Sequence, residues 1–398
     1  MRLALYFAQH GSLGHTERIF SIFSSLKRKF GKNADILIIH TGKKQPVELN
    51  ELGKVVNMPF SFGKEFFNKS QLIQEIKNIV KENRKPLKER WGVLKNAILD
   101  FDPDVLVTEH FPFGERIWEN KEIPPLLEFI RSREEIKVIS SRGYPGCIKE
   151  SYKLIGKYYD TVLFHCTKKD VDFYKSLNVG KLSTKIFSKI IKDFKEKINF
   201  TGYIINKEIR LSPEKTREKF GIPKNSKLVV VSRGGGVIYP NIISSSLIAA
   251  KKLSNKDIYF LISVGPATDE NKFEVYKRFA NKLHNVRLFR YAPNFLDCLN
   301  ASDISINMAG YNTSVQLMWL GKQNICIPLN KPEQRYRSEM MKRLNLCNVL
   351  EYASMGSGIL IKHIKEMLNN PLVASKKIKI SDFNGIRNTL KIMERMKG

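Results

Sequence analysis

Cysteine is sparse: five residues in 398, at Cys147, Cys166, Cys298, Cys326 and Cys347, with no C-x-x-C pair. An odd, scattered set of this kind suits reduced, cytosolic thiols and excludes a cysteine zinc site. Long apolar runs are missing as well. No stretch of about 18 apolar residues occurs, so no helix is expected to span a bilayer. Met1–Ala8 is apolar over too few residues to read as a signal peptide, and Gln9 and His10 end it. The dinucleotide pattern G-x-G-x-x-G is absent, so no dinucleotide is implied. Acidic residues fall far short of basic ones. Lys+Arg 68 against Asp+Glu 39 leaves a formal charge of +29. An excess of that size points to a polyanionic partner: a membrane surface, nucleic acid or a phosphorylated substrate. A thermophile-like enrichment in Lys is the alternative, although Glu is not raised to match. What is plentiful is hydrophobic residue, 42%, enough for two domains with a core each.

The chain alternates strands and helices. Leu3–Ala8 reads as a strand, then Gln9–His15 as a glycine loop, then a helix with Ile19, Ile22, Phe23, Leu26 and Phe30 on one face. Lys227–Ser232 is almost continuously apolar, as a buried parallel strand is, and ends in Arg233-Gly234-Gly235-Gly236. Each half thus opens with strand, glycine loop and helix, which implies parallel sheets and right-handed crossovers. Farther on, Asp303–Met308 is a strand, Ala309–Thr313 a short loop and Ser314–Leu320 a helix closed by Gly321. A strand, a small-residue turn and a helix start make an anion site, since N–H groups and the helix dipole both favour negative charge. We read Gly310, Tyr311, Asn312 and Thr313 as a diphosphate site, with Gly310 admitting close backbone approach and Asn312 or Thr313 capping the helix. An ordinary βα turn has the same pattern. The glycine run at 234–236 suits a ligand, with Arg233 adding charge, or a flexible loop.

Asp104–Thr108 is a buried strand leading into Glu109-His110-Phe111-Pro112-Phe113-Gly114-Glu115. Charge beside aromatics at a strand's end is either a site or a salt-bridged loop. Leu72, Ile73, Ile76, Ile79 and Val80 have helical spacing. Lys185, Lys189, Lys192 and Lys195 interleave with Phe187, Ile190, Ile191 and Phe194. That spacing fits a helix lying on a membrane surface, or a core-facing helix with a solvated back. Asn199–Ile204 reads as the crossing between domains, and Phe383–Met396 as an amphipathic helix.

The run from Asn307 to Gln334 resembles the C-terminal half of glycosyltransferase family 28, which includes the peptidoglycan N-acetylglucosaminyltransferases. The family pattern is a strand, Ser-Gly-Ala-x-Thr, a helix with an acidic residue, a strand ending in Pro, then Asp/Glu-Gln. Ala309-Gly310, Thr313, Pro328, Glu333 and Gln334 carry the resemblance. The family's acidic residue, which holds the ribose hydroxyls of a UDP-sugar, falls on Gln316. Gly14, His15 and Arg18 resemble the Gly-x-Gly-His-x-x-Arg opening of many two-domain glycosyltransferases, with Ser12 where the first glycine would stand. Pro103, Asp104 and Thr108–Gly114 match a segment of a branch of predicted family-28-like glycosyltransferases.

The resemblance implies an α/β chain in the GT-B arrangement: two Rossmann-like domains with parallel sheets facing across a cleft. It places an acceptor-binding domain at 1–201, a nucleotide-sugar-binding domain at 202–380, and a C-terminal helix, 381–398, returning to the first domain. It implies transfer of a hexosyl group from a nucleotide-sugar donor, UDP-linked, to a hydroxyl or phosphate of an acceptor, with no metal and no cofactor. Many family members use lipid-linked acceptors, so a cytoplasmic protein peripheral to the membrane's inner face is expected. The implied donor contacts are Gly14, Arg233, Gly234, Gly235, Tyr291, Gly310, Tyr311, Asn312, Thr313, Gln316, Glu333 and Gln334. His15 is the expected base, since a helix start disfavours imidazolium, with Glu109 in reserve. Two other readings remain: a nucleotide-sugar hydrolase or epimerase of the same fold, and an RNA-binding protein suggested by the charge. The second lacks an RNA-recognition motif.

Overall fold

The computed structural model describes residues 1–9, 14–42, 49–59, 85–113, 117–133, 135–143, 146–177, 181–235, 241–266, 268–292, 294–329, 331–351, 356–375 and 378–396. The helix expected around Leu72–Val80, and Gly11, Ser12, Gly114, Glu115 and Gly236, lie outside them. The chain divides into two compact units: Met1–Ile204 together with Ser381–Gly398, and Ile205–Ile380.

In the first unit the described strands are β1 (Arg2–Gln9), β2 (Asp35–Gly42), β3 (Lys54–Asn57), β4 (Val105–Glu109), β5 (Lys137–Arg142), β6 (Thr161–Phe164) and β7 (Ile198–Phe200). All pair in parallel, in the order β3-β2-β1-β4-β5-β6-β7. The second unit has β8 (Lys227–Ser232), β9 (Ile258–Ser263), β10 (Val286–Phe289), β11 (Ile304–Asn307), β12 (Asn324–Cys326) and β13 (Cys347–Val349), in the order β10-β9-β8-β11-β12-β13. Both orders run outward one way from the first strand and then restart on its other side. The connections reverse between β1 and β4, and again between β8 and β11. In an open parallel sheet such a reversal leaves a crevice at the carboxyl ends of the two strands.

The central strands are mostly apolar because helices cover both faces. Val229 and Val231 of β8 pack with Ile243, Leu247, Ile306 and Leu360 on one side. Leu228 and Val230 pack with Leu261, Leu299 and Leu317 on the other. β1 is equally enclosed: Leu3, Ala4, Leu5, Tyr6 and Phe7 are all fully buried. Beside it Arg90 and Glu122, both buried, form an ion pair that Tyr6 joins by donating its hydroxyl to Glu122 Oε2 at 3.0 Å.

The lysine-rich helix, Lys181–Asp193, turns its apolar side inward. Phe187 and Ile190 are fully buried, with the Phe187 ring edge-on to Phe164, while Lys185, Lys189 and Lys192 are exposed. The membrane-surface reading of its apolar side is therefore replaced by the core-facing one. Among the described residues no helix is long and apolar enough to cross a membrane.

The C-terminal helix, Gly385–Arg395, belongs to the first unit. Tyr203 N–H donates to Asp382 O (2.7 Å), Gly385 N–H to Tyr203 O (3.1 Å) and Asn388 Nδ2 to Thr201 O (2.9 Å). The two backbones meet at glycines. A Cβ on Gly385 would lie 2.5 Å from Gly202 O, and one on Gly202, whose φ is +84°, would lie 2.6 Å from Asp382 O. Gly385→Ala should therefore destabilise the protein by about 1–3 kcal/mol. Urea unfolding measures this, and hydrogen exchange should show the loss of protection beginning in 385–396. Wild-type stability would contradict the close approach.

Candidate active site

The second unit's crevice is built at the end of β11. Ala309 follows with φ +53°, a left-handed conformation that costs a non-glycine residue free energy. Two side chains hold it there. Asn307 Oδ1 accepts from Ala309 N–H (2.9 Å), and Arg337 Nε donates to Ala309 O (2.7 Å). Asn307 is braced in turn by donation to Asn324 Oδ1 on β12 (3.3 Å). The helix begins at Tyr311, three residues before the sequence-based start, and runs to Leu320, with Gly321 at φ +66° closing it. Its N-cap is Gly310, which makes no side-chain hydrogen bond. Asn312 and Thr313 are thus not caps but first-turn residues. Gly310 brings no capping side-chain oxygen, and the positive end of the helix dipole lies at this turn. Among the described residues a Cβ on Gly310 would meet nothing within 4 Å, so they leave room in front of that turn.

Around it, the next helix, Pro332–Arg343, starts with Glu333 and Gln334. Arg337 ties this helix to the turn, its Nη2 lying 3.8 Å from Glu333 Oε2. Gln334 is buried, and its Oε1 accepts from Leu329 N–H (2.7 Å). Gln316 and Glu333 are half-buried. Across the reversal, Gly234 at the end of β8 has φ +74° and open space over its Cα, with Gly235 after it. Arg233 departs from expectation. It is buried, donating from Nε to Val264 O and from Nη2 to Thr268 Oγ1 (2.6 Å), so it braces the β8 and β9 ends from within. Tyr291 follows β10 at the sheet's far edge and is half-buried.

The first unit's crevice holds ionisable groups. Gly14 and His15 open the helix Gly14–Phe30 after β1, and Glu109 ends β4 beside it in the sheet. His15 Nδ1 lies 2.9 Å from Glu109 Oε1, and Arg18 Nη2 donates to that same oxygen. A carboxylate can only accept, so Nδ1 carries the proton and Nε2 is left as the accepting nitrogen. Two donors converging on one oxygen accounts for the 3.1 Å between Arg18 Nη2 and His15 Nδ1. Ser141 donates to Glu109 Oε2. Next to His15, His110 sits at φ +77°, its ring edge-on at 5.2 Å.

Glu109 is not placed as a reserve base. It is 1% exposed, against 18% for the His15 side chain. Burial alone would raise its carboxyl, but the Arg18 charge and the donors from His15 and Ser141 outweigh burial and hold it well below the usual carboxylate range. It stays ionised at neutral pH and orients His15. Arg18, Ser141 and His165 complete this cluster. Arg18 was legible as part of the opening motif; the pairing of the other two across β5 and β6 leaves no local sequence signal.

Asp-x-Asp spacing does occur, at Asp100–Asp102–Asp104 and Asp170–Asp172. Asp104 accepts from Arg2 N–H at the amino end of β4 (2.7 Å), and Asp102 pairs with Arg133. Asp170 caps its own helix and accepts from Tyr203. None of these belongs to either crevice.

Residues 225–392 match the glycosyltransferase family 28 C-terminal domain. Over 385 residues the chain is 25% identical to the UDP-N-acetylglucosamine–N-acetylmuramyl-(pentapeptide) pyrophosphoryl-undecaprenol N-acetylglucosamine transferase of Acetivibrio thermocellus, covering 95% of this chain and 93% of that one. Over residues 225–392 the chain is thus similar to the family 28 glycosyltransferases, and along nearly its whole length to one of their members. Solved structures agree on the fold. The MurG of Acinetobacter baumannii superimposes with a TM-score of 0.55 at 8% identity, covering 99% of each chain. The UDP-GlcNAc 2-epimerase of Neisseria meningitidis does so with a TM-score of 0.65 at 13% identity, covering 100% of each. At these identities the likeness is one of fold, and it extends to transferases and epimerases alike.

The Glu109 pairing predicts a pH-dependent stability difference. Glu109→Gln leaves the Arg18 charge buried beside a neutral amide and should cost about 3–5 kcal/mol at pH 7. A depressed carboxyl stabilises the fold above its unfolded value, and that contribution is lost as pH falls toward the folded value. The gap between wild type and Glu109→Gln in urea unfolding should therefore be smaller at pH 3 than at pH 7, closing only toward the depressed folded value. An equal gap at both pH values would contradict the ionised carboxylate.

Proposed function

We propose that this glycosyltransferase moves a sugar from a UDP-linked donor to a hydroxyl or phosphate of a lipid-linked acceptor. The observation that carries the donor half is the Gly310 turn, a helix start with a glycine N-cap at a sheet reversal and, among the described residues, open space over that glycine. The family match over 225–392 and the Acetivibrio thermocellus relative support UDP-N-acetylglucosamine as the first donor to test. Residues 202–380 are assigned the donor, residues 1–201 the acceptor and the base, and 381–398 the returning helix.

In this scheme the first-turn N–H groups of Tyr311–Leu320 hold the diphosphate, and Glu333 and Gln334 meet the sugar hydroxyls. Gln316 meets the ribose, as a neutral amide in place of a carboxylate. His15 Nε2 takes the proton from the acceptor oxygen as that oxygen bonds to the anomeric carbon. The bond from that carbon to the diphosphate breaks, and UDP leaves with charge that the helix start stabilises. Glu109, ionised, stabilises the imidazolium that forms.

Gly310→Val tests the donor site. At φ −64° and ψ 151° any residue fits, so the variant should fold, at a cost of about 1 kcal/mol for a poorer N-cap. Calorimetry should show UDP affinity falling at least tenfold, about 1.4 kcal/mol. Unchanged UDP binding in the folded variant would remove the diphosphate from this turn. Product analysis with and without acceptor separates transfer from hydrolysis or epimerisation: UDP-N-acetylglucosamine consumed equally without any acceptor would favour the latter.

The +29 charge supports a peripheral site at an anionic membrane face, on the cytoplasmic side. Since the apolar side of Lys181–Asp193 is buried, contact rests on its lysines alone and should be wholly salt-sensitive. Co-sedimentation with anionic vesicles at low salt should succeed, and about 0.5 M salt should abolish it. Tight binding to RNA with no binding to anionic vesicles would replace the membrane by a nucleic acid.

A further inference from the structure

His15 and Arg18 approach one oxygen of Glu109, so whatever holds the other oxygen sets the carboxylate's plane, and with it the direction of His15. That second oxygen accepts from Ser141 Oγ–H on β5. Having given its proton to the carboxylate, Ser141 Oγ can only accept from His165 Nε2, 3.0 Å away. Nδ1 of His165 is then the ring's accepting nitrogen, and it is the nearest acceptor to Thr201 Oγ1–H, at 2.8 Å against 3.1 Å to Gly202 O and 3.4 Å to Phe164 O. Every proton in the series points the same way: Thr201 to His165, His165 to Ser141, Ser141 to Glu109. The series ends on the one ionised member. Ser141, His165 and Thr201 are all buried. Their backbones are fixed as well: His110 N–H donates to Ser141 O, His165 N–H to Arg142 O and Thr201 N–H to Phe164 O.

We infer that Ser141 and His165 are positioning residues for sugar transfer: they orient Glu109, which holds His15 by Nδ1–H and leaves Nε2 to the acceptor oxygen. This rests on His15 as the base. The charged groups facing His165 are Arg18 and Glu109. Burial holds the ring down to about 3, Arg18 acts in the same direction, and Glu109 opposes both. His165 therefore stays neutral and its single N–H stays committed to Ser141.

The test uses the full chain, UDP release from UDP-N-acetylglucosamine with acceptor present, and the imidazole titration of His15 by NMR, assigned with His15→Ala. Ser141→Ala and His165→Leu should lower kcat tenfold or more while the donor KM stays within twofold. Losing the Ser141 donor leaves more charge on the oxygen facing His15, so the His15 titration should move to higher pH; Arg18 and His110, the other groups facing that ring, are unchanged. Ser141→Thr and His165→Gln, which keep a donor in place, should recover most of the turnover. If His15→Ala is inactive but folded Ser141→Ala and His165→Leu keep wild-type kcat and His15 titration, the positioning role is overturned and the base assignment stands. If His15→Ala keeps full turnover, the base assignment falls and the positioning role with it. If one loss variant fails to fold, the other decides. Equal losses of kcat, donor affinity and melting temperature would make both residues merely structural and overturn the inference.

Discussion

A parallel sheet whose strand order reverses cannot cover the carboxyl ends of the two strands at the reversal, because the helices that follow them leave toward opposite faces. This chain meets that constraint twice. Between β8 and β11 it leaves the start of a helix, and between β1 and β4 it leaves His15 and Glu109. The chemistry follows from what each crevice was given. The second holds N–H groups and small residues, so it suits an anion. The first holds, among the described residues, a carboxylate, a guanidinium and the imidazoles of His15, His110 and His165, so it suits proton transfer.

Neither crevice is held by its own loop. Ala309 keeps its left-handed turn because Asn307 bonds its N–H and Arg337, 28 residues on, bonds its carbonyl. His15 keeps its direction because Glu109 is gripped by Arg18 on one oxygen and Ser141 on the other. In both places a backbone or side chain that could move is fixed in part by a partner far away in sequence, Arg337 in one and Glu109 with Ser141 in the other. The rigidity a transfer site needs is thus supplied by the sheet, which brings those partners into register.

That division also explains what could be read from the residues alone. The alternation of apolar strands with glycine loops and amphipathic helices is local, and it was enough for two parallel α/β sheets. The Tyr311–Leu320 helix starts three residues before its apolar pattern implies because its cap is a glycine, which offers no side-chain signal. Arg233 looked like a diphosphate ligand because a positive charge after a buried strand has no visible internal partner; Val264 and Thr268, about thirty residues on, supply it. Helical lysine spacing could not separate a membrane face from a solvated back, since both leave the apolar residues on one side. Phe164 and Tyr174 against Phe187 decide it. Glu109 was readable as a charged strand end, but its change from base to orienter depends on Ser141 and on how deeply it is buried.

The central claim is that the helix start after β11 receives the donor's diphosphate. A crystal structure of the full chain soaked with UDP tests it most directly. The expected result is diphosphate oxygens within about 3 Å of the N–H groups of the first turn at 311–313, with Gly310 in van der Waals contact. Diphosphate bound elsewhere on the second unit, with the Gly310 turn empty, would contradict it.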